Sequence, residues 1–295
     1  MFKKLLLSSI PGVFVLLWST GFIGAKFGLP YAEPYTMLFY RFVLTLSLLL
    51  ILIAYFKPSF PTSWPQRLHL MVSGSLIHGA YLGGVFSAIK LGMPAGLCAL
   101  IVGLQPVLTT AGAFVFLKEK VTRLQWIGIT LGFLGLYLIF AAGSGRSSPL
   151  DPRALWAALI ALLGITAGTL YQKKFCASNS LLGSAWFQYV ATVLIFWAGS
   201  YFFETGVVEL TGEFIFAVFW LAIVLSIGAI LLLTYLIKHG EMHKVASLFY
   251  LVPAVTALEA AWIFDEKLGA EKIAGMAIVA IAVFLVTHIS GFRKK

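Results

Sequence analysis

Apolar residues run through this 295-residue chain in ten long stretches separated by short polar joints. They occupy residues 10–29, 34–56, 68–91, 94–117, 123–142, 154–176, 181–203, 214–238, 243–264 and 270–290. Each is close to the roughly 20 residues a helix needs to cross a ~30 Å hydrocarbon layer, and a helix satisfies its own backbone hydrogen bonds there. The pattern predicts an all-α membrane protein of ten transmembrane helices. Lys3 and Lys4 precede the first stretch as in a signal peptide. The apolar run continues past Trp18, however, with no small-residue cleavage site, so it reads as a retained first span.

The pattern is also written twice. Leu117-Lys118-Glu119-Lys120 closes the fourth stretch, and Phe264-Asp265-Glu266-Lys267 closes the ninth in the same way, 147 positions later. The offset places Pro106 on Pro253, Glu119 on Glu266 and Gly128 on Gly275. Weaker matches occur elsewhere: Phe39-Tyr40-Arg41-Phe42 on Trp186-Phe187-Gln188-Tyr189 at the same offset, and Leu16-Leu17-Trp18-Ser19-Thr20 on Leu162-Leu163-Gly164-Ile165-Thr166 at an offset of 146. Each copy holds five spans, so the second must sit upside down relative to the first. The division predicted is residues 1–146 and 147–295, joined at Gly143-Ser144-Gly145-Arg146-Ser147-Ser148-Pro149. Two inverted repeats facing one central site is the geometry of alternating access.

Composition agrees. The chain is 60% hydrophobic and 11% charged, with mean hydropathy +0.97, which excludes an ordinary soluble domain. Its net charge of +10 is spread in ones to threes between spans, which fits anionic lipid headgroups and not nucleic acid. With the N-terminus inside, the inner joints hold 14 Lys and Arg and the outer joints hold 4 (Arg146, Arg153, Lys267 and Lys272). That imbalance predicts both termini on the cytoplasmic side. Cys98 and Cys176 fall in apolar segments and imply neither disulfide nor metal site. No cofactor is expected, and without a Walker motif ATP is not the direct energy source.

Leu17-Trp18-Ser19-Thr20-Gly21-Phe22 in the first span, Tyr40-Arg41-Phe42 in the second and the ends at Glu119 and Glu266 resemble the EamA branch of the drug/metabolite transporter superfamily over essentially the whole chain. The resemblance implies a ten-helix inner-membrane carrier of small metabolites, often an exporter of amino acids or related compounds. It also implies a central cavity lined mainly by spans one, three, four, six, eight and nine. Because the family covers very different substrates, the resemblance does not name this one.

Candidate chemistry is sparse. The two aspartates, Asp151 and Asp265, lie in outer joints, and of nine glutamates only Glu259 lies well inside a span. An ionisable group at that depth is costly and faces a cavity or a partner. Glu259 is the candidate for proton coupling or a substrate amine, or one half of a structural ion pair with Arg41, which lies at similar depth, roughly 10 Å from the outer face. Lys26, near the outer end of the first span, can snorkel to headgroups. His78 and Gln105 fall near mid-membrane on consecutive spans and are candidate hydrogen-bonders to a substrate carboxylate, with simple helix-to-helix bonding as the alternative for His78. Pro106 and Pro253 are candidate hinges. Trp18, Tyr81, Tyr171, Tyr235 and Tyr250 fall on the cavity helices that the resemblance implies and could line a site for a flat or cationic solute. Gly24 with Gly28, Gly79 with Gly83 and Gly128 with Gly132 are spaced for close helix packing.

These features are read as secondary transport of a small amphipathic metabolite, such as export of an amino acid or aromatic compound, by a monomer or homodimer in contact with membrane lipid. The alternatives are an organic-anion or nucleotide-sugar carrier and a membrane-embedded lipid-phosphate enzyme. The first would want more buried cations, and the second a metal-ligand or paired-carboxylate cluster.

Overall fold

The computed structural model describes residues 2–143, 151–176, 180–229, 232, 251–266 and 270–288. Among them regular structure is helical, apart from an isolated bridge pairing Ala32 with Val208. The helices are α1 (Phe2–Gly28), α2 (Pro34–Phe56), α3 (Trp64–Gly74), α4 (Tyr81–Lys90), α5 (Ala95–Val102), α6 (Gln105–Leu117), α7 (Arg123–Gly143), α8 (Pro152–Phe175), α9 (Leu181–Phe203), α10 (Gly212–Phe219), α11 (Leu251–Phe264) and α12 (Ala270–His288). A wider π-helical segment, Ser75–Ala80, joins α3 to α4, and another, Trp220–Ala229, continues α10. Among the described residues seven stretches are long and apolar enough to cross a membrane: Ile10–Gly28, Pro34–Phe56, Trp64–Lys90, Ala95–Leu117, Pro152–Phe175, Leu181–Phe203 and Gly212–Ala229. The exposed surface is rich in large apolar side chains, with Trp262 at 87% and Phe203 at 81% exposure. Such a surface suits hydrocarbon, not water.

Local chemistry explains the starts and interruptions. Ser63, Ser180 and Thr211 accept from the backbone N–H of Gln66, Gly183 and Phe214, and so cap α3, α9 and α10. The fourth apolar stretch, a single span with Pro106 as its candidate hinge, breaks at Gly103 and Leu104. Pro106 has no N–H and its ring would meet the carbonyl four residues back, so the helix restarts with proline in its first turn, where the missing donor costs little. The third stretch starts earlier than expected, at Trp64, and is widened over Ser75–Ala80.

The duplication is visible in the backbone. Lys118 (φ 55°) and Asp265 (φ 53°), 147 positions apart, both take the left-handed conformation at a helix end. The next amides turn back in the same way, Glu119 N–H onto Ala113 O at 3.1 Å and Glu266 N–H onto Ala260 O at 3.4 Å. Shifted by the same offset, the π segment at Ser75–Ala80 falls inside the one at Trp220–Ala229.

The chain divides into two compact units, each drawing on both sequence halves. One comprises Met1–Ile23, Gly92–Pro152 and Val224–Lys295; in it α5 packs on α11 and α7 on α12. The other comprises Gly24–Leu91 and Arg153–Ile223, with α9 against α2 and α3. In α7–α12 and α2–α9 a helix lies against its own repeat counterpart, so the compact units cut across the sequence division. In the second unit α8 lies close against the π segment. A Cβ on Gly164 would stand 2.8 Å from Ala80 Cβ and 3.1 Å from Tyr81 N, so the helices meet backbone to backbone only because that position is glycine. Gly79, Gly83 and Gly132 likewise face Ile195, Tyr35 and Val107, which is packing, as their spacing implied.

Candidate functional site

In the second unit a polar cluster forms where α2, the π segment and α9 meet. Arg41, only 6% exposed, lies with its Cζ 5.5 Å from the Phe42 ring centre. The His78 ring lies 5.7 Å from Phe42 and 5.0 Å from Tyr189, and Phe42 lies 5.4 Å from Tyr189. Gln188 Nε2 donates to Ser73 Oγ at 3.4 Å. Arg41-Phe42 therefore faces Gln188-Tyr189, its own counterpart in the repeat. The local backbone repeats as well: Thr45 Oγ1 donates to Arg41 O and Thr192 Oγ1 to Gln188 O, both at 2.8 Å. Extra width at Ser75–Ala80 turns His78 toward α2 and α9, a common role of π segments at functional sites. A cation, an imidazole and a phenol brought together in an apolar bundle can hold an anionic group on an aromatic wall.

Two further polar groups hold this unit. At one end of α8, Tyr171 Oη lies 2.7 Å from His69 Nδ1, and the His69 ring stacks on Phe175 at 4.8 Å. Where the first turn of α2 meets the end of α9, Glu204 accepts from Tyr35 N–H at 2.8 Å, Thr36 N–H at 2.7 Å and Thr36 Oγ1 at 2.8 Å. Glu33 accepts in return from Thr205 N–H at 2.6 Å and Thr205 Oγ1 at 2.5 Å. Lys90 Nζ donates to Leu29 O at 2.7 Å. The Thr205 hydroxyl, with help from its N–H and Lys90, holds the Glu33 carboxyl below its ordinary 4.5 against the opposing effect of burial.

In the first unit Glu259 on α11 is half-buried. Its Oε1 lies 2.8 Å from Ser19 Oγ on α1, and Ser19 Oγ is also 2.8 Å from Leu16 O. The Glu259 Oε2 atom is buried with no hydrogen-bond partner among the described residues. Trp18 stacks at a tilt on Phe14, 5.3 Å away. Gln105 Nε2 reaches Thr109 Oγ1 at 3.5 Å. Pro253 meets Gly103, which places the proline of one copy against the break beside the proline of the other. Glu266 Oε1 accepts from Ala95 N–H at 3.0 Å and so caps α5, which gives the motif at the end of α11 a structural role.

Of the residues singled out in the sequence, Arg41, His78 and Tyr81 belong to the second unit along with Lys26 and Tyr171. Trp18, Gln105, Pro106, Pro253 and Glu259 belong to the first. Arg41 and Glu259 thus fall in different units, as do His78 and Gln105. Tyr235 and Tyr250 lie outside the described residues. Ser19, Gln188 and Tyr189 were not singled out; the signal for the last two was the 147-residue offset applied to Arg41-Phe42. Among the described residues no three His, Cys, Asp or Glu side chains stand together as metal ligands.

The EamA-like transporter family model matches residues 12–141 and 152–288. The chain belongs to the EamA-like transporter family. Among its EamA-like relatives, a Salmonella typhimurium protein named "Probable amino-acid metabolite efflux pump" is 28% identical over 95% of this chain and 93% of its own. The Bacillus subtilis protein "Uncharacterized transporter YvbV" is 27% identical over 95% and 91%. The Escherichia coli K12 protein "Uncharacterized inner membrane transporter YedA" is 25% identical over 92% and 87%. A solved crystal structure shares the fold at a TM-score of 0.65 and 18% identity, over 97% of this chain and 98% of its own. The protein is therefore a multi-pass membrane transporter of the EamA-like family.

Proposed function

We propose that this carrier exports a small amphipathic metabolite, an amino acid or aromatic compound, by alternating access between two inverted five-helix repeats, with both termini in the cytoplasm. The observation that carries the reading is the family match on both halves of the chain. The name of the Salmonella relative supports the substrate class. Packing of α7 on α12 and α2 on α9 supports the inversion, since a two-fold axis in the membrane plane brings each helix to its copy. In this reading Arg41, His78 and Tyr189 attract the substrate carboxylate and the aromatic wall takes its side chain. The buried guanidinium also favours an organic-anion carrier as the second reading.

Solute counterflow tests the proposal. Purified protein in liposomes preloaded with unlabelled L-phenylalanine should speed entry of labelled L-phenylalanine over protein-free vesicles. Stronger competition by phenylacetate than by any zwitterionic amino acid would move the assignment to the organic-anion reading. No acceleration with any aromatic or aliphatic amino acid would refute amino-acid export.

A further inference from the structure

We infer that Glu259 and Ser19 form a proton-binding site in which Glu259 is a neutral carboxylic acid donating through Oε1 to Ser19. Proton arithmetic carries the inference. Ser19 Oγ has one proton to give, yet two acceptors, Leu16 O and Glu259 Oε1, each lie 2.8 Å from it. Both are full hydrogen bonds only if a second proton is supplied, and Glu259 is the group that supplies it. The acid O–H then donates to Ser19 Oγ, and Ser19 O–H donates to Leu16 O. Oε2 becomes the carbonyl oxygen of the acid. Leaving that neutral oxygen buried without a partner costs far less than leaving half of a carboxylate so.

Among the described residues no cation is paired with Glu259 to take the proton's place. α11 is flanked by α1, α5 and α12. Their titratable groups are Lys3, Lys4 and Lys26 toward the ends of α1, Cys98 on α5, and Glu271, Lys272 and His288 at the ends of α12. Asp265 and Glu266 follow α11 itself, and Glu266 is occupied in capping α5. Among the described residues Ser19 is the hydrogen-bond partner of Glu259. Thr256 Oγ1 approaches Ser19 O at 3.5 Å, so the pair sits in a polar seam between α1 and α11.

Loss of the proton to water leaves a carboxylate on Oε1. Ser19 must then choose between that anion and Leu16 O, so proton occupancy reads directly onto the contact between spans one and nine. That this step drives solute movement rests on the transporter reading; the occupancy does not. The site is accordingly a candidate for the carrier's coupling ion, with a proton as its ligand.

Infrared difference spectroscopy of the protein in lipid tests occupancy without any substrate. At neutral pH the wild type should show one protonated-carboxyl C=O band that moves on 13C-glutamate labelling and disappears in strong alkali. Glu259→Gln should remove the band, and Ser19→Ala should keep it but shift its position. A wild-type spectrum showing only carboxylate at neutral pH, or a band unmoved in Ser19→Ala, would overturn the inference. So would a band lost when sodium replaces potassium at fixed pH, which would make the site a sodium site. The labelled wild type keeps the test decisive if Glu259→Gln does not fold. Coupling is then read separately: counterflow intact but insensitive to an imposed pH gradient in Glu259→Gln is the expected result, and an unchanged response to the gradient contradicts the coupling role.

Discussion

Glu204 holds the first turn of α2, and removing it gives a graded loss of stability. Three donors converge on its carboxylate: the N–H groups of Tyr35 and Thr36 and the Thr36 hydroxyl. The first turn of α2 has no other cap, because the N-cap residue Glu33 makes no side-chain cap bond to it. Loss of a helix N-cap costs about 1 kcal/mol, up to about 2, and loss of a negative charge at a helix N-terminus costs a further ~0.3–1 kcal/mol. Glu204 is half-buried, so water replaces part of what it gives, and Glu204→Ala should cost roughly 1.5–3 kcal/mol. Glu204→Gln keeps one acceptor oxygen and loses the charge, and should cost about half as much. At roughly 2–4 °C per kcal/mol for a chain approaching this size, Glu204→Ala should melt roughly 3–12 °C below wild type. Scanning fluorimetry in mild detergent measures this. The order wild type, Glu204→Gln, Glu204→Ala is required; Glu204→Ala melting with the wild type would show that the three bonds contribute nothing and would refute the reasoning.

Three further outcomes follow from the geometry. The folded Glu33 carboxyl titrates below its ordinary 4.5, so its stabilisation is complete above that pH and is lost as pH falls through the lower folded value. Thr205→Val, which removes the main cause of the depression, should flatten the fall in melting temperature in acid; an unchanged acid profile contradicts it. Gly164→Ala should destabilise by about 1–3 kcal/mol through overpacking against Ala80 and Tyr81, whereas Gly12→Ala, with open space around it, should be neutral or better; equal melting of the two variants would contradict the close approach. His78→Ala and Tyr189→Phe should each weaken half-saturation for the counterflow substrate about two- to twelve-fold if each makes one neutral hydrogen bond to it; wild-type values in both would remove the pair from the site.

The helical, membrane-spanning nature of the chain was legible because each apolar stretch is long and continuous, and bilayer thickness leaves few other readings. The duplication was legible from Lys118-Glu119 and Asp265-Glu266, whose left-handed cap conformation the backbone repeats. Less could be read where tertiary contacts decide. The break before Pro106 was signalled by the proline, but the widening at Ser75–Ala80 has no proline and lies where Gly164 of α8 comes against it. Arg41 and His78 were visible as costly residues in apolar spans. Their neighbours were not, because Tyr189 and Gln188 are ordinary residues until α9 is laid on α2. Ser19 was likewise one hydroxyl among many, and only the 2.8 Å distance to Glu259 singles it out.

The central claim is that the two matched halves face the membrane in opposite senses and so make one alternating-access carrier. Reporter fusions placed after Arg123 and after Lys272 test it most directly, since these positions follow the equivalent ends of α6 and α11. The account predicts a cytoplasmic signal after Arg123 and an external signal after Lys272. Signals from the same side at both positions would contradict the inverted repeat and the mechanism built on it.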